Sequence, residues 1–344
     1  MQLTIDFITM NKKYIIWSIS IVVLLFLLFL SIMIAITIGE RNFSISELLE
    51  IISKKNSIEY TIISKIRFPR ILLGFSIGGS LSLAGVILQG IYHNPLVEPY
   101  TLGISGGAAL GVAITIVFGL NITLGAFMLP ISGFIGAISI IFLLYLLSVG
   151  KNYININRML LIGIMISFMA SSAMMFLLSI TTSDNLNNII FWIMGSLDEP
   201  NMFLIKSVFI TSIVSLVVSY LFTNQLNALR LGESKARHLG INTNLSIRIL
   251  FITSSLLTGI CVSVAGVIGF VGLIIPHLFR MILGSDFRIL LLSSFIGGGI
   301  FLILCDLIAR TIIAPNELPI GVITGIIGGL VFIAVLSQSK NKIQ

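Results

Sequence analysis

Long apolar stretches alternate with short polar ones along the chain, and few polar positions interrupt a stretch. An amphipathic helix of a soluble protein would show an apolar stripe at a spacing of three to four residues. Here whole windows are apolar, at about the 20 residues needed to cross a bilayer. The pattern predicts spans near 14–38, 68–91, 101–119, 122–148, 159–180, 202–222, 247–267, 270–283, 289–309 and 318–337. The stretch from 247 to 283 is the hardest to divide, because no formal charge lies between Arg248 and Arg280. As one helix it would be about 54 Å long, against a hydrocarbon core of about 30 Å. Gly266, Gly269, Gly272 and Pro276 offer places to break it into two spans, the second short or irregular. The expectation is an all-α polytopic membrane protein of about ten transmembrane helices, forming a single transmembrane domain over 1–344.

Composition agrees. Hydrophobic residues make up 57% of the 344 residues and charged residues 10%, where a soluble domain carries about a quarter. No hydrophilic segment is long enough for a separate catalytic domain. Cys261 and Cys305 both fall inside apolar runs, so free buried thiols are expected and no disulfide framework. The first apolar run follows Lys12 and Lys13 like a signal peptide. It is longer than a usual signal core and lacks a small-x-small cleavage site, so a retained span is expected.

The net charge of +7 is best resolved loop by loop. With both termini inside, the inner loops carry Lys151 and Arg158, then Arg230, Lys235, Arg237 and Arg248, then Arg280 and Arg288, then Lys340 and Lys342. This follows the positive-inside rule. The outer loop 39–67 departs from it, with Arg41, Lys54, Lys55, Lys65 and Arg67, and Arg70 close behind; Glu40, Glu47, Glu50 and Glu59 neutralise it in part. Basic residues kept on the outer face suggest an acidic partner there.

The chain also repeats itself. Arg70-Ile71-Leu72 leads to Ser82-Leu83-Ala84-Gly85-Val86-Ile87, and Arg248-Ile249-Leu250 leads to Ser263-Val264-Ala265-Gly266-Val267-Ile268. In a ten-span arrangement the two blocks run in opposite directions. Inverted repeats are a transporter feature, with the pathway near their interface. Chance similarity between Gly/Ala/Val-rich helices is the alternative, and the shared Arg-Ile-Leu start favours the repeat.

Several polar segments stand out. Residues 224–246 form a basic island between two apolar runs, with Arg230, Lys235 and Arg237 against one acid, Glu233. Two short helical pieces fit there, about 226–230 and 232–239, with Gly240 as a stop. Arg67-Phe68-Pro69-Arg70 opens the second span at the outer surface, where arginines serve as interfacial anchors or pair with carboxylates of a partner. Arg310 lies four residues after Asp306, so an internal ion pair and a docking contact are both open. Asn94-Pro95 and Glu98-Pro99 force an extended turn before the small-residue run Thr101–Ala108, which lacks the Gly-Lys-Ser/Thr of a phosphate loop. His277 has no acidic or Cys neighbour and makes a poor metal site. Trp192, between the fifth and sixth spans, suits an outer interfacial helix.

In order along the chain, these segments resemble the FecCD/BtuC-like permease family, the membrane subunits of binding-protein-dependent ABC importers for iron compounds and vitamin B12. The matching segments are Arg67-Phe68-Pro69-Arg70, Asn94-Pro95-Leu96 with Glu98-Pro99 and Leu102-Gly103-Ile104-Ser105, Gly232-Glu233 through Leu239-Gly240, Gly266 through Arg280, Asp306 through Arg310, and Glu317-Leu318-Pro319. The resemblance covers about residues 60–337. It implies a BtuC-like fold with an inverted repeat. It implies an ATPase-coupling segment at Arg230, Gly232, Glu233, Lys235, Ala236, Leu239 and Gly240, with Glu233 and Lys235 pairing across the ATPase interface and Ala236 and Leu239 forming an apolar seat. It implies binding-protein docking at Arg67, Arg70 and Arg310, and a pathway or gate near Gly85, Gly266, Trp192 and Gly195. Asp198 and Glu199 stand where the family's stretch is glycine-rich.

The chain has no Gly-x-x-x-x-Gly-Lys-Ser/Thr, no His-Glu-x-x-His and no convincing triad, so an ATPase or hydrolase reading is not supported. An ion-coupled carrier is the rival, since such carriers place ionisable groups at mid-membrane. Here the main candidate, Asp306, lies toward a span end. The expected protein is an importer permease of the cytoplasmic membrane, with both termini cytoplasmic. Its expected partners are ATPase subunits, an extracytoplasmic binding protein, a second permease chain and the bilayer, with no nucleic acid. No metal or cofactor is expected on this chain, ATP and Mg²⁺ belonging to the ATPase. Within the family, ferric siderophore is the commonest substrate class, with haem and cobalamin as alternatives.

Overall fold

The computed structural model describes residues 2–39, 41–54, 56–148 and 156–340, and these are almost entirely helical. Glu40, Lys55, Lys151 and Lys342 of the loop and charge analysis lie outside the described residues. The chain opens with α1 (Gln2–Thr37). The segment that follows is folded, with α2 (Ile45–Ser53) and α3 (Ile58–Thr61), the latter running through a π-helical turn (Ile62–Arg67) into α4 (Phe68–Tyr92). Ser44 and Glu47 form a reciprocal capping box on α2, and the Ser57 side chain caps α3.

A short 3₁₀ turn (Pro99–Leu102) leads into α5 (Ile104–Val117). Then come α6 (Leu120–Thr123), α7 (Met128–Ser148), α8 (Ile156–Ile180), α9 (Ser183–Met194) and α10 (Met202–Leu221). The next two elements are short, α11 (Thr223–Leu229) and α12 (Glu233–His238). The last third holds α13 (Thr243–Ala265), α14 (Val271–Leu283), α15 (Phe287–Thr311) and α16 (Ile320–Lys340).

Among the described residues, seven helices are long and apolar enough to cross a bilayer, the one over Ile58–Tyr92 including α4; α5, α14 and the apolar part of α16 are shorter. Most expected boundaries move by a few residues, and two of the shifts have a visible cause. The span expected over 122–148 starts at Met128, because residues 118–127 hold α6 and two glycines, Gly119 and Gly125, in left-handed conformations. The span expected over 101–119 begins at Ile104, since Gly103 turns the chain at φ 81°. The break in 247–283 falls at Gly266–Phe270, leaving α14 with 13 residues, about 20 Å of helix.

The core forms around α4, in which only Phe68, Leu72 and Phe75 escape full burial. A helix enclosed on all sides needs close neighbours, and small residues let them approach. A Cβ added at Gly78 would lie 2.2 Å from the Gly298 carbonyl oxygen on α15, and one at Gly85 would lie 1.9 Å from that of Gly272 on α14. The α5–α7 pair is joined in the same way through Gly107 and Gly136.

The sequence repeat has a counterpart in packing. α4 and α13 each precede a short helix, α5 and α14, and by alternation along the chain they run oppositely. α4 packs on α15, and α13 packs on α7. The first helix of each repeat thus packs on the third span of the other, so the two halves interlock.

Gly85→Ala is expected to force α4 from α14 and to cost about 2–3 kcal/mol of stability, read as a lower melting temperature in detergent. An unchanged melting curve would mean that these helices are not in backbone contact.

Candidate coupling, docking and pathway sites

The helix pair α11–α12 lies at the end of the bundle where α4 and α14 finish. The Phe222 backbone joins α10 to α11, and Asn242 caps α13 by accepting from the Leu245 N–H at 3.1 Å. Gly232 takes φ 100° between the two short helices, and Gly240 takes φ 81° after the second, which fixes the turns at both ends of α12. Arg230, the C-cap of α11, donates to the Ser285 carbonyl at 2.8 Å. Glu233 is engaged within the chain, accepting from Arg237, whose Nε also donates to the Thr243 hydroxyl at 3.0 Å. Ala236 is fully buried in the chain's own core, so it anchors α12 and cannot offer the surface seat expected of it. Leu239 is 64% exposed, and Lys235 and His238 are also on the surface. The exposed edge is therefore Lys235, His238 and Leu239, with Ala236 beneath it.

At the opposite end, the three expected docking arginines turn inward. Arg67 donates to the carbonyl oxygens of Ile36 and Arg41, and to that of Thr37 at 3.3 Å, and stacks 4.7 Å over the Phe43 ring. Arg70 donates from Nε to Asp306 Oδ1 at 2.8 Å and forks onto both oxygens of Glu317 at 2.9 and 2.8 Å. Arg310 donates to the Ala35 carbonyl, and its Nε is 3.7 Å from Asp306 Oδ2. The internal pairing that the sequence left open for Arg310 is thus present, and Asp306 also takes Arg70, a pairing that sequence reasoning did not suggest. Buried ions need such partners, since an unpaired one costs several kcal/mol. Arg41, Arg67, Arg70, Arg310 and Glu317 nevertheless border a cavity of about 350 Å³. In the loop before them, Arg41 pairs with Glu59 at 2.9 Å and Lys54 lies 3.7 Å from Glu50, so much of that loop's charge is balanced locally.

The gate residues separate into two groups. Gly195 and Gly266 meet directly: the Ser196 N–H donates to the Ala265 carbonyl at 2.9 Å, and the Ile320 N–H donates to the Gly195 carbonyl at 3.2 Å. Both glycines have positive φ, and a Cβ on Gly266 would lie 2.2 Å from the Trp192 carbonyl oxygen. Trp192 borders a cavity of about 360 Å³ with Phe127, Phe191, Asp198, Glu199 and Ser263. Burial pushes the Glu199 carboxyl above its usual pKa, and the neighbouring Asp198 adds to the effect. Gly85 does not belong with them; it is buried at the α4–α14 crossing, and its role is backbone packing.

Sequence reasoning missed Tyr100 and Glu98. The Tyr100 hydroxyl donates to the Ile268 carbonyl at 2.8 Å and accepts from the Ile268 N–H at 3.2 Å. Glu98 accepts from the Phe270 N–H, and burial pushes its pKa up. Phe270 has φ 70°, a left-handed conformation that a bulky residue adopts only when its surroundings hold it. The unwound stretch between α13 and α14 is thus held by two side chains from the turn after α4. The signal available was a pair of polar groups beside prolines in an otherwise apolar region.

An enclosed central helix, interlocked inverted halves, unwound backbone at the crossing and a polar segment held at one end describe a membrane transport permease. The comparisons sharpen that class. The FecCD transport family model matches residues 8–338. The haemin transport system permease protein HmuU of Yersinia pestis is 36% identical over 289 residues, 83% of this chain and 86% of that one. The vitamin B12 import system permease protein BtuC of Klebsiella pneumoniae is 34% identical over 319 residues, 92% of each chain. A metal-chelate type ABC transporter solved in an inward-facing conformation superposes with a TM-score of 0.82 at 29% identity, covering 93% of this chain and 99% of that one. The chain belongs to the FecCD transport family and is a permease of an ABC importer, a multi-pass membrane protein whose ATPase is a separate subunit.

Arg70→Ala is expected to cost about 3–5 kcal/mol by leaving Asp306 buried beside too little positive charge. Arg70→Met combined with Asp306→Leu is expected to recover most of that loss; equal melting temperatures for the single and double variants would refute the pairing. Tyr100→Phe is expected to cost about 1–3 kcal/mol by stranding the Ile268 backbone groups, with melting temperature as the readout.

Proposed function

We propose that the chain imports an iron chelate, most readily a ferric siderophore, as one of two permease chains around a central pathway. A binding protein delivers the chelate at the end bearing Arg67 and Arg310. ATP and Mg²⁺ act on the partner ATPase, whose motion reaches the permease through the exposed edge of α12. The observation that carries this reading is the contrast between the ends of the bundle and its middle. Charges gather at the two ends, whereas α5, α7 and α8 contain no Asp, Glu or Lys. A carrier driven by ions would need titratable groups at mid-depth. The likeness to a metal-chelate type transporter and to a haemin permease favours an iron compound, and the likeness to a vitamin B12 permease keeps cobalamin as the second reading.

Docking follows from the outer cavity. Arg70 is already neutralised by Asp306 and Glu317, so it serves to position its neighbours. Arg67 meets backbone carbonyls and the Phe43 ring, and Arg310 meets a backbone carbonyl and the longer contact to Asp306, so neither is neutralised by a close carboxylate and both are left to attract an acidic side chain of the binding protein.

The test is uptake by proteoliposomes containing the permease, its ATPase and its binding protein, offered ferric siderophores, haem and cobalamin with and without ATP. Iron-chelate uptake requiring both partners is expected, with Arg67→Ala plus Arg310→Ala reducing it at least tenfold. Uptake by the permease alone along an ion gradient would overturn the importer reading; full uptake by the double variant would remove the docking role.

A further inference from the structure

Beside the coupling segment lies a second feature, a cavity of about 370 Å³ bordered by His93, Arg230, His277 and Arg280 together with Gln89 and Ser285. Four groups that carry or can take positive charge face one space, and no Asp or Glu is among the residues that border it. Neutral acceptors hold the two guanidiniums in place. Arg280 donates to Gln89 Oε1 at 3.0 Å, while the buried Gln89 amide donates to the Gly272 carbonyl at 3.2 Å. Arg230 donates to the Ser285 carbonyl at 2.8 Å. His93 Nε2–H donates to the Leu229 carbonyl. The carboxylate nearest in sequence, Asp286, is already taken by Lys13 at 3.0 Å, Asn227 at 3.1 Å and the Arg288 N–H at 3.1 Å. Gln89 and Ser285 orient the cations without neutralising them.

We propose that this cavity receives an acidic side chain of the ATPase subunit, as a contact separate from the α12 edge. The inference rests on the importer reading above. Two observations favour a protein carboxylate. The cavity shares Arg230 with the coupling segment, so whatever covers that segment also covers the cavity. Its cations are also fixed by hydrogen bonds, which suits a partner group of defined position. A carboxylate seated there would tie the inner ends of α4 and α14 to the ATPase, and those helices meet at Gly85 and Gly272 beside the unwound stretch.

The test measures affinity of the full-length permease in nanodiscs for its ATPase, over a range of salt, for wild type, Arg280→Gln, Arg280→Lys and His277→Gln. Arg280→Gln is expected to weaken binding about tenfold or more and to flatten its salt dependence, with Arg280→Lys restoring most of both. Equal affinities and slopes for wild type and Arg280→Gln, with normal melting temperatures, would overturn the proposal while leaving the importer reading intact. Failure of the wild-type permease to bind the ATPase would strike the importer reading itself. A parallel arm compares melting in phosphatidylglycerol and phosphatidylcholine nanodiscs. Stabilisation by phosphatidylglycerol that Arg280→Gln abolishes, with ATPase affinity unchanged, would assign the cavity to a lipid headgroup and also overturn the proposal.

Discussion

A membrane helix usually keeps one face on lipid, but α4 is enclosed by protein almost along its whole length. In the absence of water, apolar burial gives little drive for helices to associate, so close packing must hold them. Glycine supplies that closeness here. At Gly78 with Gly298, and at Gly85 with Gly272, backbones approach to distances that any side chain would block. Everything else in the protein is placed relative to this helix. Its N-terminal end carries Arg70, its C-terminal end adjoins α11, and the turn after it reaches the unwound stretch before α14.

The charged groups follow the same logic. Arg70, Asp306 and Glu317 come from three separate parts of the chain and form one hydrogen-bonded set. Arg70 with Asp306 fastens α15 to the N-terminal end of α4. A set of this kind is a weak source of net stability, because desolvation offsets most of the attraction. Its value is directional: only one register of α4 against α15 satisfies all three groups.

Unwound backbone inside a membrane protein must find partners within the protein. The stretch from Gly266 to Phe270 finds them in Ile193, Tyr100 and Glu98. Gly195, Gly266 and Gly321 admit this crossing of chains, since a Cβ at any of them would crowd a backbone carbonyl oxygen. The result is a junction where α9, α13, α14 and α16 meet beside the cavity lined by Trp192. A small shift of α14 would be felt at that junction, because α14 begins where the unwound stretch ends.

Much of this was legible in the sequence. Apolar stretches of membrane length, the basic island at 224–246 and the glycines near 266 are local features, and each fixes an element without reference to the rest of the chain. The motif order also identified the family. Tertiary structure decided which groups meet. Arg70 and Asp306 are 236 residues apart, and Tyr100 and Ile268 are 168 apart, so no periodicity connects them. Ala236 in α12 and Leu239 at its C-cap are both apolar positions of one short segment, yet one is buried and the other exposed. Gly85 and Gly266 occupy matching places in the repeat, yet one packs helices and the other turns the chain. Hydrophobic pattern sets how often the chain crosses and where it must break, whereas partner choice depends on which helices come into contact.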